Sequence, residues 1–310
     1  MSASTLPTLH PGVLRPGDVV ALVSPAGPVD AGKVDAAVRI LESWGLKPRV
    51  YPHALGRTSF YAASDEDRLA DLNHALADPE IRAVLCNRGG YGLQRIVQGL
   101  DIEAVKRDPK LVTGFSDVTA LHTALWRHAR LATVHGPVAT QLGQGGMFTG
   151  SMLHALMSLE PAVLSPHSGV STVEVRVNGR AKGVLLGGNL AILTSSIGTP
   201  FMPDLSGAIL LLEEVGEAAY RVDRMLTQLL NCGILQQVAG IALGDFSVPA
   251  SAAGSITPAD VLQERLGSLG VPVLGGLPVG HGSLNHAVAL GTQATLDADE
   301  GTLMVAAAAR

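Results

Sequence analysis

The chain has little cysteine, few aromatic side chains and no long apolar run, and each scarcity removes a class of protein. Only Cys86 and Cys232 occur among 310 residues. They lie far apart and outside any CxxC or Cys/His ligand spacing, which argues against a disulfide framework and a structural zinc site. Phenylalanine, tryptophan and tyrosine make up 4% of the residues and the net charge is -5, so neither the stacking platforms nor the basic surface of a nucleic-acid-binding protein is present. Hydrophobic residues reach 47%, yet glycines and polar residues interrupt every apolar stretch before it could span a bilayer. The start, Met1-Ser2-Ala3-Ser4-Thr5-Leu6-Pro7, lacks the basic and apolar segments of a secretory signal. A soluble protein of a reducing cytoplasm is expected.

What is present is alternation. Strand-like runs at 19–24, 48–51, 82–87 and 111–113 are followed by segments of helical spacing at 31–44, 64–77, 93–100 and 117–130, and 132–135 continues the series. Such a βα repeat predicts an α/β fold with a mainly parallel sheet, helices on both faces and ligands at the carboxyl ends of the strands. A length of 310 residues favours two domains. The repeat weakens between 136 and 169, where a helix is predicted at 151–159 and a Pro/Ser/His stretch follows. The boundary is placed there, dividing the chain into an N-terminal α/β domain, 1–160, and a smaller C-terminal mixed β/α domain, 161–310. The second half is predicted to open with a hairpin, strands 171–177 and 182–186 about Asn178-Gly179. Beyond it are expected a helix from Asn189, strand 208–213, helix 218–230, strand 238–243, helix 258–269 and terminal strands at 288–296 and 302–305.

The segment Lys110-Leu111-Val112-Thr113-Gly114-Phe115-Ser116-Asp117 carries the most chemical information, because an apolar strand enters a glycine turn, presents one serine and becomes a helix. A hydroxyl at that junction projects past the strand end beside the first free N–H groups of the helix, which suits a nucleophile with an oxyanion site. It resembles a nucleophile elbow without the GxSxG pattern. Serine is also a favoured helix N-cap, so the local pattern leaves both roles open.

Other strand ends offer partners. Asn87-Arg88-Gly89-Gly90-Tyr91-Gly92 follows an apolar strand, and its glycines let backbone N–H groups approach a ligand; a tight βα turn is the plain alternative. Glu213-Glu214 closes the run 208–212, where a carboxylate can orient an imidazole or simply precede a helix, the role expected of Glu217. His281, between Gly280 and Gly282, has the access a general base needs, and His135 at another strand end is its competitor. His281 and His286 lack metal-ligand spacing and a third ligand.

Taken together, Gly114-Phe115-Ser116-Asp117, the 87–92 loop, Leu211-Leu212-Glu213-Glu214 with Tyr220-Arg221-Val222-Asp223-Arg224, Gly187-Gly188-Asn189-Leu190 and Gly280-His281-Gly282 resemble the LD-carboxypeptidase family of serine peptidases. That family also includes the microcin self-immunity peptidases. The resemblance covers nearly the whole chain. It implies an N-terminal domain laid out like class I glutamine amidotransferases, a swivelling C-terminal β/α domain, and a Ser-Glu-His triad spanning their cleft. By resemblance Ser116 is the nucleophile, His281 the base, Glu213 rather than Glu214 the orienting acid, and the backbone N–H groups of Gly90 and Asp117 the oxyanion hole. It further implies a homodimer without metal or cofactor, cutting a cytoplasmic murein peptide between an L-centred diamino acid and terminal D-alanine. The substrate's free carboxylate needs a cation, for which Arg88 and Arg221 are both candidates. Competing readings are a detoxifying amidase for peptidyl or aminoacyl nucleotides, disfavoured because neither Trp44 nor Trp126 is placed for stacking, a noncatalytic two-domain binding protein, and, last, a dinucleotide-binding dehydrogenase.

Overall fold

The computed structural model describes residues 7–248 and 256–310. In the first half, short aliphatic strands alternate with capped helices: β1 (Val19–Val23), α1 (Ala31–Ser43), β2 (Lys47–Val50), α2 (Asp65–Ala77), β3 (Ile81–Cys86), α3 (Ile102–Arg107), β4 (Leu111–Gly114), α4 (Thr119–Ala129), β5 (Thr133–His135) and α5 (Gly146–Met157). Asp30 and Ser64 cap α1 and α2 by accepting the N–H groups of Lys33 and Asp67. The second half contains β6 (Ala162–Leu164), β7 (Arg176–Val177), β8 (Arg180–Asn189), α6 (Leu190–Ser195), β9 (Ile209–Val215), α7 (Ala219–Asn231), β10 (Gly240–Ser247), α8 (Pro258–Leu266), β11 (Val273–Leu274), β12 (Val288–Leu290), β13 (Gln293–Asp297) and β14 (Thr302–Val305). The result is a two-domain α/β fold.

One sheet runs β12-β5-β4-β3-β1-β2 and the other β6-β14-β13-β8-β9-β10-β11-β7. In the first sheet β2, β1, β3, β4 and β5 are all parallel, so the loops after Cys86, Gly114 and His135 leave at one edge. In the second, β8, β9, β10 and β11 are parallel, and the pairing of Asn189 with Glu213 brings two polar residues to the carboxyl end of the apolar β9. One apolar core runs through both halves, joining Val20, Leu85 and Val134 to Leu185, Leu211 and Leu296.

Three predicted elements differ. The 171–177 and 182–186 segments form no hairpin: β7 pairs with β11, whereas β8 pairs with β13 and β9. Gly179 does turn the chain, at φ +130°, but its N–H donates to Asp299 Oδ1 and its carbonyl accepts from Ala298 N, which steers β8 onto β13. The predicted helix 93–100 is two 3-10 turns, Leu93–Arg95 and Val97–Gly99, followed by the short α3. Leu93, Ile96, Val97 and Leu100 are buried at helical spacing, but the backbone opens to φ −116°, ψ −19° at Ile96 between the two turns and becomes extended at Leu100, φ −64°, ψ 136°, so no continuous helix forms. The strand expected at 288–296 divides at Gly291, φ +80°. Its first part, β12, joins the N-terminal sheet antiparallel to β5, and its second part, β13, returns to the other sheet.

Candidate active site

β4 ends at Gly114, and Ser116 follows in the left-handed region at φ +65°, a conformation costly for a residue with a Cβ. The chain turns sharply there through a 3-10 turn, Ser116–Val118, before α4 begins. Gly89 packs directly against this elbow; a Cβ on it would lie 2.7 Å from Ser116 Cβ and 3.1 Å from Phe115 O. The following Gly90 has φ +110°. Among the described residues, neither the Gly90 nor the Asp117 N–H donates to a backbone or side-chain acceptor. Gly90 follows the glycine that packs on Ser116 and Asp117 follows Ser116 itself, so both free donors belong to the segments that meet at the elbow.

His281 projects from the loop after β11. Its Nδ1 lies 2.6 Å from Glu213 Oε2. A carboxylate only accepts, so Nδ1 carries the proton and Nε2 is left as the basic nitrogen of the neutral ring. Burial works to lower the His281 pKa, but the Glu213 bond and the negative charges of Glu213, Glu214 and Asp245 outweigh it, and the imidazole titrates above 6.5. Gly280, at φ +110°, makes the approach possible, since a Cβ there would meet Glu213 Oε2 at 2.7 Å. The His281 ring also packs on Phe115, with centroids 4.6 Å apart. Ser116, His281, Phe115, Gly89 and Gly90 line one cleft of about 720 Å³.

Of the remaining candidates only Arg88 shares this cleft. Glu214 accepts from Asn189 Nδ2, Ala191 N and Val215 N at 3.0, 2.7 and 2.9 Å, so it anchors the start of α6. Burial raises its pKa despite those bonds. His135 is fully buried, with both ring nitrogens lacking partners among the described residues, and burial holds its pKa well below 6.5. Its neighbour His122, whose Nε2–H donates to Gly114 O, is driven by burial down to about 4. Arg88 lines the cleft. Arg221 does not; it is exposed and paired with Glu217 at 3.2 Å.

Two side chains that organise the site were not singled out in the sequence. The buried Asp117 carboxylate accepts the Leu93 N–H at 2.9 Å, tying the elbow to the end of the glycine loop. The buried Arg68 donates to Pro25 O, Gly92 O and Ala63 O and pairs with Asp65, joining three loops around that glycine loop. The signal available was an arginine on the predicted 64–77 helix, which reads equally as a solvated residue.

Residues 20–136 match the LD-carboxypeptidase N-terminal domain and residues 182–296 match the LD-carboxypeptidase C-terminal domain. The chain belongs to the LD-carboxypeptidase family. It is a serine-type carboxypeptidase, a hydrolase. The murein tetrapeptide carboxypeptidase of Pseudomonas aeruginosa is 34% identical, over 90% of this chain and 92% of that protein. A Bacillus subtilis protein named "Probable murein peptide carboxypeptidase" is 36% identical over 96% of this chain and 94% of its own length. The crystal structure of muramoyltetrapeptide carboxypeptidase from Oxalobacter formigenes superimposes with a TM-score of 0.81 at 29% identity, covering 93% of this chain and 97% of that one. Members of the LD-carboxypeptidase family thus share both the length and the layout of this chain.

Proposed function

We propose that the protein removes the terminal D-alanine from murein tetrapeptides through a Ser116-Glu213-His281 triad. The observation that carries this reading is the 2.6 Å contact between His281 and Glu213 opening on the cleft that Ser116 lines. His281 Nε2 takes the Ser116 hydroxyl proton as Oγ attacks the carbonyl of the penultimate residue. The N–H groups of Gly90 and Asp117 receive the developing oxyanion. The C–N bond breaks, D-alanine leaves with the proton held by His281, and water activated by the same ring hydrolyses the acyl-enzyme. The names of the relatives in Pseudomonas aeruginosa, Bacillus subtilis and Oxalobacter formigenes support the substrate class. In this reading the enzyme works in the cytoplasm on recycled murein peptides, as a homodimer, which sedimentation of the purified protein tests.

Ser116→Ala is expected to abolish release of D-alanine from a murein tetrapeptide and to leave the circular dichroism spectrum unchanged. Full turnover by the variant would sink the assignment. A serine-directed fluorophosphonate should label wild-type Ser116, an outcome foreign to a noncatalytic binding protein. A second reading, amide hydrolysis of aminoacyl or peptidyl nucleotides, is favoured by the fold of a MccF-like protein from Bacillus anthracis, TM-score 0.86 at 27% identity over 97% of this chain and 99% of that one. Competition between tetrapeptide and aminoacyl sulfamoyl adenosine distinguishes the two.

A further inference from the structure

A carboxypeptidase must tell a chain end from a peptide interior, and the mark of that end is a free carboxylate one residue beyond the scissile bond. Successive Cα atoms are about 3.8 Å apart, so the group that reads the carboxylate must stand within roughly one residue's reach of the nucleophile. The cleft lined by Ser116 carries three cations, Lys33, Arg57 and Arg88, against one acid, Asp30. Asp30 is engaged as the cap of α1, accepting the Lys33 N–H at 3.2 Å. Among the described residues none of the three cations has a carboxylate within ion-pair distance, whereas Arg95 and Arg221, outside the cleft, do. Uncompensated positive charge in a concave site favours an anionic ligand.

Of the three, Arg88 is the one built into the catalytic loop. It immediately precedes Gly89, the residue in contact with Ser116. Its Nη1 donates to Pro28 O at 2.9 Å, which holds the guanidinium in place. Nε and Nη2 have no acceptor among the described residues, and that pair of N–H groups is the edge of an arginine that grips a carboxylate through two parallel hydrogen bonds.

We propose that Arg88 is the specificity-determining residue that binds the substrate's terminal carboxylate, with Lys33 and Arg57 enriching the cleft in anionic peptide. The inference rests on the peptidase reading of the same cleft. Its test compares kcat/KM for L-Ala-γ-D-Glu-meso-diaminopimelyl-D-Ala with kcat/KM for the same peptide ending in a carboxamide. Wild-type enzyme is expected to prefer the free acid roughly ten- to a hundredfold, the value of a charge-assisted bidentate contact. In Arg88→Gln that ratio should collapse towards unity, and Arg88→Lys should restore part of it. Because both substrates meet the same enzyme, the ratio is insensitive to the fraction of each variant that is folded. A wild type inactive on both peptides would sink the peptidase reading and this inference with it. An active wild type whose preference survives in Arg88→Gln overturns the Arg88 assignment alone, as does a preference lost in Arg57→Gln but kept in Arg88→Gln.

Discussion

At the scale of single residues, the chemistry depends on what each neighbour does to a proton. Glu213 is wholly buried, and the partly exposed His281 rests on it. The raised pKa of His281 has a direct kinetic sign. In the proposed triad His281 must be neutral to accept the Ser116 proton, so the acidic limb of kcat/KM should lie above pH 6.5, the ordinary histidine value. Glu213→Gln removes the charge that raises the pKa and leaves the burial that lowers it. The limb should therefore move to lower pH, while kcat drops by roughly 10³- to 10⁴-fold through loss of the correct tautomer. A pH profile of D-alanine release measures both effects, and an unshifted limb would show that Glu213 does not set the base. The histidines beneath the site behave differently. His122 and His135 are held neutral by burial, so their access to protons, not their residue type, separates them from His281. That distinction was absent from the sequence, where His135 and His281 each sit beside glycine after an apolar run.

At the scale of elements, the elbow and the glycine loop form one unit. Ser116 at φ +65° and Gly90 at φ +110° are local choices, but they are compatible only because Gly89 has no side chain where Ser116 Cβ stands. Gly89→Ala places a Cβ against both the Ser116 side chain and the Phe115 carbonyl, and a backbone neighbour cannot step aside cheaply. The elbow or the loop must then shift by a substantial fraction of an ångström, so kcat/KM should fall on the order of a hundredfold. Steady-state kinetics together with a urea midpoint checks this: activity should be lost far more steeply than stability. The strand-to-glycine junctions at 86–92 and 111–116 were legible because composition changes abruptly there, from aliphatic to glycine. The 93–100 segment misled because its apolar spacing satisfies two short turns as well as one helix.

For the whole molecule, the decisive feature is β12. Val288–Leu290 lies late in the chain, yet it forms the edge of the N-terminal sheet through Val288 to His135 and Leu290 to Thr133. It follows the His281 loop directly, so the strand fastens the loop bearing His281 to the sheet whose β4 leads into Ser116. We propose 1–160 and 161–310 as the two domains, with β12 as the segment that crosses between them. The C-terminal end also returns to the beginning of the described chain: Arg310 N donates to Pro11 O, and Val13 N to Arg310 O. A fragment of residues 1–160 would expose the β5 edge and the apolar surface that β12 covers. It is expected to show no cooperative thermal transition by circular dichroism, whereas the full chain should unfold with ellipticity and activity falling together. A fragment melting cooperatively near the temperature of the full chain would contradict this coupling.

By itself the sequence determined the βα alternation, the strand ends at which polar residues gather and the residues available for acid, base and nucleophile, because these follow from periodicities and composition within a few residues of one another. It could not determine that β7 would pair with β11 instead of β8, or that 288–296 would serve two sheets, since strand partners are chosen by burial across distant segments. Nor could it separate Arg88 from Arg221. Both are arginines beside functional motifs, and only the folded chain puts one in the cleft with a free guanidinium edge and the other outside it, paired with Glu217.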